Sequence, residues 1–328
     1  MKVLITGATG FVGAAVARHF LAAGYQARCL VRPNSDRRNI LDLNVELVEG
    51  SLEDEASLIA AVKGCEGLLH VAADYRIWVP KPQLMYQANV VGTSMLMEAA
   101  LKAGVRRIVY TSSVATLGNN KDGSAADEDT PVSENNMIGV YKHSKFLAEE
   151  VVHTLIKEQK LPAVIVNPSS PIGPRDIKPT PTGRIVVDGV RGRIPAYLDT
   201  GLNIVHVDDV AHGHLLAFQK GIVGQRYILG GENLSLEQIL GLIAMEAGRK
   251  PPRIKLPRLA LFPVAMAMEG IGTLMGVEPM LTVDALRMAA KKMYFTSKKA
   301  EVQLGYTHRP ASEAIHDATL WFKSNGYC

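Results

Sequence analysis

The sequence predicts an α/β fold: a doubly wound parallel sheet with a smaller, interleaved C-terminal domain. Three observations carry this. Short apolar runs alternate with helical stretches through the first two-thirds of the 328 residues, the pattern of parallel strands covered by helices on both faces. A G-x-x-G-x-x-G spacing, Gly7 to Gly13, joins the first apolar run to the first helical one. After about Asn167 the alternation breaks, and Pro168, Pro171, Pro174, Pro179 and Pro181 crowd a loop-rich stretch.

Taken in order, Lys2–Ile5 is an apolar run ending in Thr6-Gly7 and reads as a buried strand. Phe11–Ala23 is helical and stops at Gly24. Ala27–Val31 and Val45–Val48 read as the second and third strands, Leu58–Val62 as a short helix and Gly67–Val71 as the fourth strand. Leu84–Ala103 is a long helix closed by Gly104, and Arg107–Tyr110 is the fifth strand. Tyr141–Lys157 has helical apolar spacing, and Ala163–Val166 is the sixth strand. Asn203–Leu229 looks like a return to the sheet. The expected division is therefore 1–170 with 203–230 as one domain, and 171–202 with 231–328 as the other.

Hydrophobic residues make up 47% and charged residues 21%, which excludes a disordered chain. The net charge of +4 is small and reads as scattered, so no nucleic-acid partner is expected. Three cysteines far apart, with no zinc-like spacing, predict no metal site and a reducing compartment. The first residues already read as a strand, so a cytoplasmic location is expected. Leu259–Val277 is apolar and near membrane-spanning length, but Pro263 and Glu269 interrupt it. It reads as a packed pair of cap helices. The alternatives are a lid for an apolar substrate or a peripheral contact with the inner membrane leaflet.

The glycine spacing has a chemical reason. Gly7, Gly10 and Gly13 permit a tight turn and a close backbone approach, and the helix that follows offers unpaired N–H groups to a pyrophosphate. Gly7, Thr9, Gly10, Phe11, Val12 and Gly13 are thus expected to hold a dinucleotide. Where an acid would grip a ribose 2′-hydroxyl, the second strand ends in Arg32, with Arg37 and Arg38 behind it. A guanidinium there suits a 2′-phosphate, which favours NADP(H) over NAD(H). Tyr141 and Lys145 lie one turn apart on one helix. A nearby ammonium is expected to lower the phenol's pKa and make it an acid–base group. Ser113, at the end of the preceding strand, can hold a substrate oxygen. Asp74, Tyr75, Arg76 and Trp78 follow the fourth strand's carboxyl end and are expected at the substrate.

With the loop, Ser113, Tyr141 and Lys145 in this order, the whole chain resembles the extended short-chain dehydrogenase/reductases. Val71-Ala72-Ala73, Asn89-Val90-Val91-Gly92-Thr93, Asn167-Pro168 and Val205–Val210 add to the resemblance. It implies a Rossmann domain followed by a substrate-binding cap. It also implies that Ser113 orients the substrate oxygen, Tyr141 exchanges its proton and Lys145 binds the nicotinamide ribose. Ser51 and Leu52 would flank the adenine. Ala72, Ala73 and Ser112 would line the cofactor, and Pro168 and Ser170 would lie against the nicotinamide. Within the family the chain looks most like the dihydroflavonol-reductase-like branch. Ala73–Pro80 and Asp199–Asn203 look closest to the hopanoid-associated sugar epimerases. Relatives pair as homodimers through the helices corresponding to Leu84–Ala103 and Tyr141–Lys157.

Departures from the family sharpen the reaction. Val114 and Ala115 stand where dehydratases carry an Asp-Glu pair. Ser170 replaces the epimerase asparagine, and Leu202 stands where an arginine would grip a nucleotide sugar's diphosphate, with Arg175 and Arg184 the nearest substitutes. The expectation is an NADP(H)-dependent reductase of a carbonyl on a sugar-like or polyol-bearing molecule. The resemblance would make that molecule a hopanoid lipid side chain. A sugar epimerase with retained nucleotide and a non-catalytic dinucleotide sensor are the alternatives.

Overall fold

The computed structural model describes every residue except Ile77, Glu278 and Met280. In chain order the strands and helices begin β1 (Lys2–Thr6), α1 (Phe11–Ala22), β2 (Gln26–Val31), β3 (Glu46–Glu49), α2 (Glu55–Val62), β4 (Gly67–His70) and α3 (Pro82–Tyr86). A π-helical turn, Gln87–Val91, runs directly into α4 (Gly92–Lys102). Then come β5 (Arg107–Thr111), α5 (Gly139–Gln159), β6 (Ala163–Pro168), β7 (Ser170–Ile172) and α6 (Pro181–Val190). The chain goes on through β8 (Ala196–Tyr197), β9 (Gly201–His206), α7 (Val207–Lys220), β10 (Arg226–Leu229), β11 (Glu232–Ser235) and α8 (Leu236–Glu246). It ends with β12 (Ile254–Lys255), α9 (Phe262–Met275), α10 (Val283–Met288), β13 (Lys292–Met293), α11 (Lys298–Leu304) and α12 (Ala311–Ser324).

Seven strands form one parallel sheet in the order β3-β2-β1-β4-β5-β6-β10. The strands read as continuous apolar runs because both faces are covered. Val3 and Ile5 enter one core with α1 and α7, while Leu4 enters the other with α2, α4 and α5. Val109 and Val166 repeat the first choice, Ile108 and Ile165 the second, as side chains alternating across a pleat must. The chain leaves β1 toward β2 and re-enters the sheet on the other side at β4. That reversal opens a crevice at the carboxyl ends of β1 and β4.

A smaller sheet, β11-β9-β13 with β7 on β9, packs with α6, α8 and α12 around a separate core that includes Ile204, Ile243, Ile315 and Phe322. The expected return over 203–230 is shared between the two sheets. α7 and β10 rejoin the large sheet, whereas β9 belongs to the small one. Two expectations are corrected. The helix over 84–103 carries the π turn, in which Asn89 is buried and bonded on both sides. The apolar segment 259–277 is not a packed pair: only 11% of Arg258–Met275 is buried.

Candidate active site

The loops that follow β1 and β4 are stitched together at the crevice. Gly7 has φ 73°, and a Cβ on it would lie 2.7 Å from the Ala72 nitrogen. The Ala72 N–H donates to Thr6 Oγ1 at 3.2 Å, and the Gly10 N–H to the Gly7 carbonyl at 2.9 Å. A Cβ on Gly13 would sit 2.1 Å from that same carbonyl. These contacts leave room for hydrogen atoms only, which is why glycine stands at both places. α1 then follows Gly10 with no side-chain cap and no acid in its first turn, whereas Asp54 caps α2 and Ser235 caps α8. Its first N–H groups and positive dipole end are left for an anion.

Two further observations fit a dinucleotide lying across this edge. Buried polar atoms without a partner include Asn39 Oδ1, whose amide donates to the Thr9 carbonyl at 3.4 Å, and Asn167 Oδ1 and Ser169 Oγ at the end of β6. A buried polar group needs a partner, and a bound ligand can supply it. Ser51 and Leu52 follow β3 on the same edge, and Ala72, Ala73, Pro168 and Ser170 follow or end their strands there.

The arginines after β2 separate in the structure. Arg32 is exposed, and among the described residues no ion pair or hydrogen bond engages its guanidinium. Arg37 bonds Glu49 at 2.6 Å, and Arg38 bonds Asp36 at 2.7 Å. The expectation for Arg37 is therefore weakened by an acid already holding it, while Arg32 is open to a phosphate.

The catalytic candidates converge. Ser113 ends the extension of β5, is half-buried, and accepts from the Ala115 N–H at 3.1 Å. Burial raises the Tyr141 hydroxyl's pKa, and the neighbouring Ser113 hydroxyl partly opposes that. The lowering expected from Lys145 is absent because the ammonium points elsewhere. Lys145 Nζ donates to the Tyr110 hydroxyl at 3.0 Å and the Thr111 carbonyl at 2.8 Å. Burial pushes Lys145 down to about 8, with the charge of Glu149 opposing.

Glu149, Tyr110, Asn167 and Asn89 support this centre, and sequence reasoning gave them no role. Glu149, one turn beyond Lys145, is buried. It accepts from Ser112, from Thr116 at 2.9 Å, from Asn167 at 3.1 Å and from Arg226 at 3.2 Å. Burial alone would raise its carboxyl. The hydrogen bonds from His153, Ser112 and Thr116 and the Arg226 charge outweigh that and hold it at about 2. Asn167 also donates to the Ser113 carbonyl at 3.0 Å, so one carboxylate fixes the whole Ser112–Thr116 turn. Asn89 donates to Ser144 at 3.0 Å and exchanges bonds with the Asp74 backbone at 2.7 and 2.8 Å. The π turn sets it there, tying the catalytic helix to the loop after β4. Spacing from Lys145 was the one available signal for Glu149; the partners come from three distant segments.

On the substrate side, Asp74 and Arg76 pair with each other. Tyr75 is 46% exposed. Partial burial and the Asp176 carboxylate push its hydroxyl up. Trp78 is half-buried. Arg175 departs from expectation: it binds Asp42 at 3.0 Å and lines a cavity of about 460 Å³ with Arg38, Trp321 and Tyr327. That cavity includes neither Ser113 nor Tyr141.

Comparison with known proteins agrees with this geometry. Residues 3–230 match the NAD dependent epimerase/dehydratase family. The chain is 43% identical over 327 residues to a protein of Synechocystis called putative dihydroflavonol 4-reductase, covering 98% of this chain and 95% of the other. It is 34% identical to sterol demethylase protein B of Methylococcus capsulatus, covering 99% of each. Among solved structures, that of gox2253 superposes with a TM-score of 0.90 at 54% identity over 100% of this chain and 99% of that one. PA4631, described as a nucleoside-diphosphate-sugar epimerase from Pseudomonas aeruginosa, gives 0.82 at 26% identity over 100% and 99%. The chain belongs to the NAD dependent epimerase/dehydratase family, in the dihydroflavonol-reductase-like branch of the extended short-chain dehydrogenase/reductases, and is an NAD(P)-dependent enzyme.

Proposed function

We propose that this enzyme is an NADPH-dependent reductase of a carbonyl on a sugar-like or polyol-bearing molecule carried by a lipid. The observation that carries the reading is the Arg32 guanidinium just after β2, which has no partner among the described residues. It can bind a 2′-phosphate, and each such charge-assisted bond contributes about 1.5–3 kcal/mol. A net reduction requires that nucleotide to be exchanged between turnovers.

Gly7, Gly10 and the first turn of α1 would hold the pyrophosphate, Arg32 the 2′-phosphate, and Lys145 the ribose beside the nicotinamide. When bound, the nicotinamide supplies the hydride that reaches the carbonyl carbon. Ser113 Oγ donates to the carbonyl oxygen and fixes its position against Tyr141. Tyr141 gives that oxygen its phenolic proton, and its raised pKa keeps the proton in place until it is needed. Lys145 Nζ uses two donors on Tyr110 and Thr111, so one remains to reach the ribose. Val114 and Ala115 are buried and apolar, so no acid–base pair stands there for dehydration.

The lipid carrier draws support from sterol demethylase protein B, whose name denotes a polycyclic lipid, and a hopanoid side chain has that character. The second reading is a sugar epimerase with retained nucleotide, favoured by the resemblance to PA4631. Against it, Leu202 lies in β9, partly buried against the small core, and cannot grip a diphosphate. The test is mass spectrometry of the nucleotide released from purified enzyme, followed by titration with NADPH and NADH. Tighter binding of NADPH, lost in Arg32→Ala, is expected. Stoichiometric NAD that survives gel filtration overturns the reductase and promotes the epimerase.

A further inference from the structure

We infer that α9 and the turn before it form a peripheral docking surface for an anionic lipid bilayer. Leu259 is 73% exposed, Met266 65%, Ile271 56%, Leu274 88%, Met275 71% and Val277 57%. In the segment only Ala265 and Gly272 are buried, one above the other at a seven-residue spacing. Those two mark the edge that packs on the protein, with Phe262, Met268 and Glu269 half-buried beside them, and the rest of the helix is largely apolar and open. Single exposed hydrophobes need no explanation, but a contiguous patch of this kind does.

The charge around the patch says what covers it. Residues 249–293 carry eight basic and three acidic side chains, a net +5 against +4 for the whole chain. Of the eight cations, Lys255 is paired with Asp199 at 2.7 Å, outside this stretch. Lys250 and Arg253 precede the helix, and Lys291 and Lys292 follow α10, all exposed. Of the acids, Glu269 accepts the Val283 N–H at 2.9 Å and Asp284 pairs with Arg287 at 3.3 Å. An apolar helix face rimmed by cations is the chemistry of a helix lying in the interface of an anionic leaflet. A protein partner would need matching acids around an apolar groove; the leaflet offers both at once.

The helix lies on the membrane and does not cross it. Arg258 begins the apolar stretch, its guanidinium 5.9 Å from the Phe262 ring, and Pro263 stands in the first turn of α9. The Glu269 bond ties α9 to α10, which a spanning helix would have to abandon. α10 in turn touches the catalytic helix: a Cβ on Gly139 would lie 3.3 Å from Asp284 Oδ2, two residues before Tyr141. Docking therefore sets the lip of the catalytic centre at the lipid surface.

The experiment is flotation of the full chain with vesicles of phosphatidylcholine alone and of phosphatidylcholine with phosphatidylglycerol. Binding to the mixed vesicles, weakened by salt and reduced roughly tenfold by Met266→Glu with Leu274→Glu, is expected. Turnover of a short soluble carbonyl and the melting temperature should not change in that variant. Absence of flotation with anionic vesicles overturns the inference, as does flotation that the variant leaves intact. If the wild type sediments as a dimer that the variant dissociates, the face belongs to a second copy. If the variant abolishes turnover of the short carbonyl, the face is a substrate lid. Vesicle binding reads the surface without any substrate, so it can fail while the reductase stands, and succeed if the reductase fails.

Discussion

Replacing Gly13 with alanine sets two physical effects against each other. Gly13 lies in the first turn of α1, where alanine is intrinsically favoured over glycine by about 1 kcal/mol. Propensity alone predicts a more stable protein, by about 1.5 °C in a chain of this size. The structure predicts the opposite. The new Cβ would be 2.1 Å from the Gly7 carbonyl oxygen, 2.6 Å from its carbon and 3.0 Å from the Ala8 nitrogen. All three are backbone atoms, so no side chain can rotate aside. Forcing a methyl group into such a contact costs about 1–3 kcal/mol, which equals or exceeds the propensity gain. The larger effect falls on the ligand. Gly7 cannot retreat freely, because the space where its Cβ would stand is already taken by the Ala72 backbone. The turn must open and carry the first N–H groups of α1 away from the pyrophosphate. Losing one charge-assisted bond of about 2 kcal/mol weakens nucleotide binding roughly thirtyfold. Thermal melts with and without NADPH, and a fluorescence titration, measure both quantities. A variant that melts higher than wild type and binds NADPH equally well would refute the close-approach argument.

Tyr141→Phe should lower kcat by about 10²–10⁴-fold with nucleotide affinity unchanged; a loss of affinity instead would assign Tyr141 to binding. Lys145 sits at about 8, so activity that needs its ammonium should fall above that pH. Glu149→Gln removes the opposing charge and should move this alkaline limb to lower pH, and an unmoved limb would detach Glu149 from Lys145. Glu149 is held at about 2, below its ordinary value of 4.5. Its contribution to stability is therefore complete above about pH 4.5 and lost as the pH falls toward 2; acid melts of wild type and Glu149→Gln should converge in that window. We also propose the homodimer through the helix over 84–103, where Leu84 and Val91 are 53% and 41% exposed. Leu84→Glu should shift a sedimenting dimer to monomer, and a wild-type monomer at micromolar concentration would end that proposal.

Sequence alone determined what depends on local order along the chain. The alternation of apolar runs and helices specified a parallel sheet with two covered faces, because a strand buried on both sides must be apolar throughout. The glycines at 7, 10 and 13 were legible because backbone geometry at a strand–helix turn excludes side chains. Tyr141 and Lys145 were legible because one helical turn puts them on one face. Tertiary structure decided what depends on partners distant in sequence. Arg32 and Arg37 look alike as sequence, and only the fold brings Glu49 to one of them. Arg175 went to Asp42, and the Lys145 ammonium to Tyr110 and Thr111, for the same reason: a charge settles on the best partner in space. Glu149 acquired its role from Ser112, Thr116, Asn167 and Arg226, which no local pattern joins. The apolar segment at 259–277 has the composition of a core helix or an interfacial one. Only its packing, with two buried residues along one edge, decided that the apolar face looks outward.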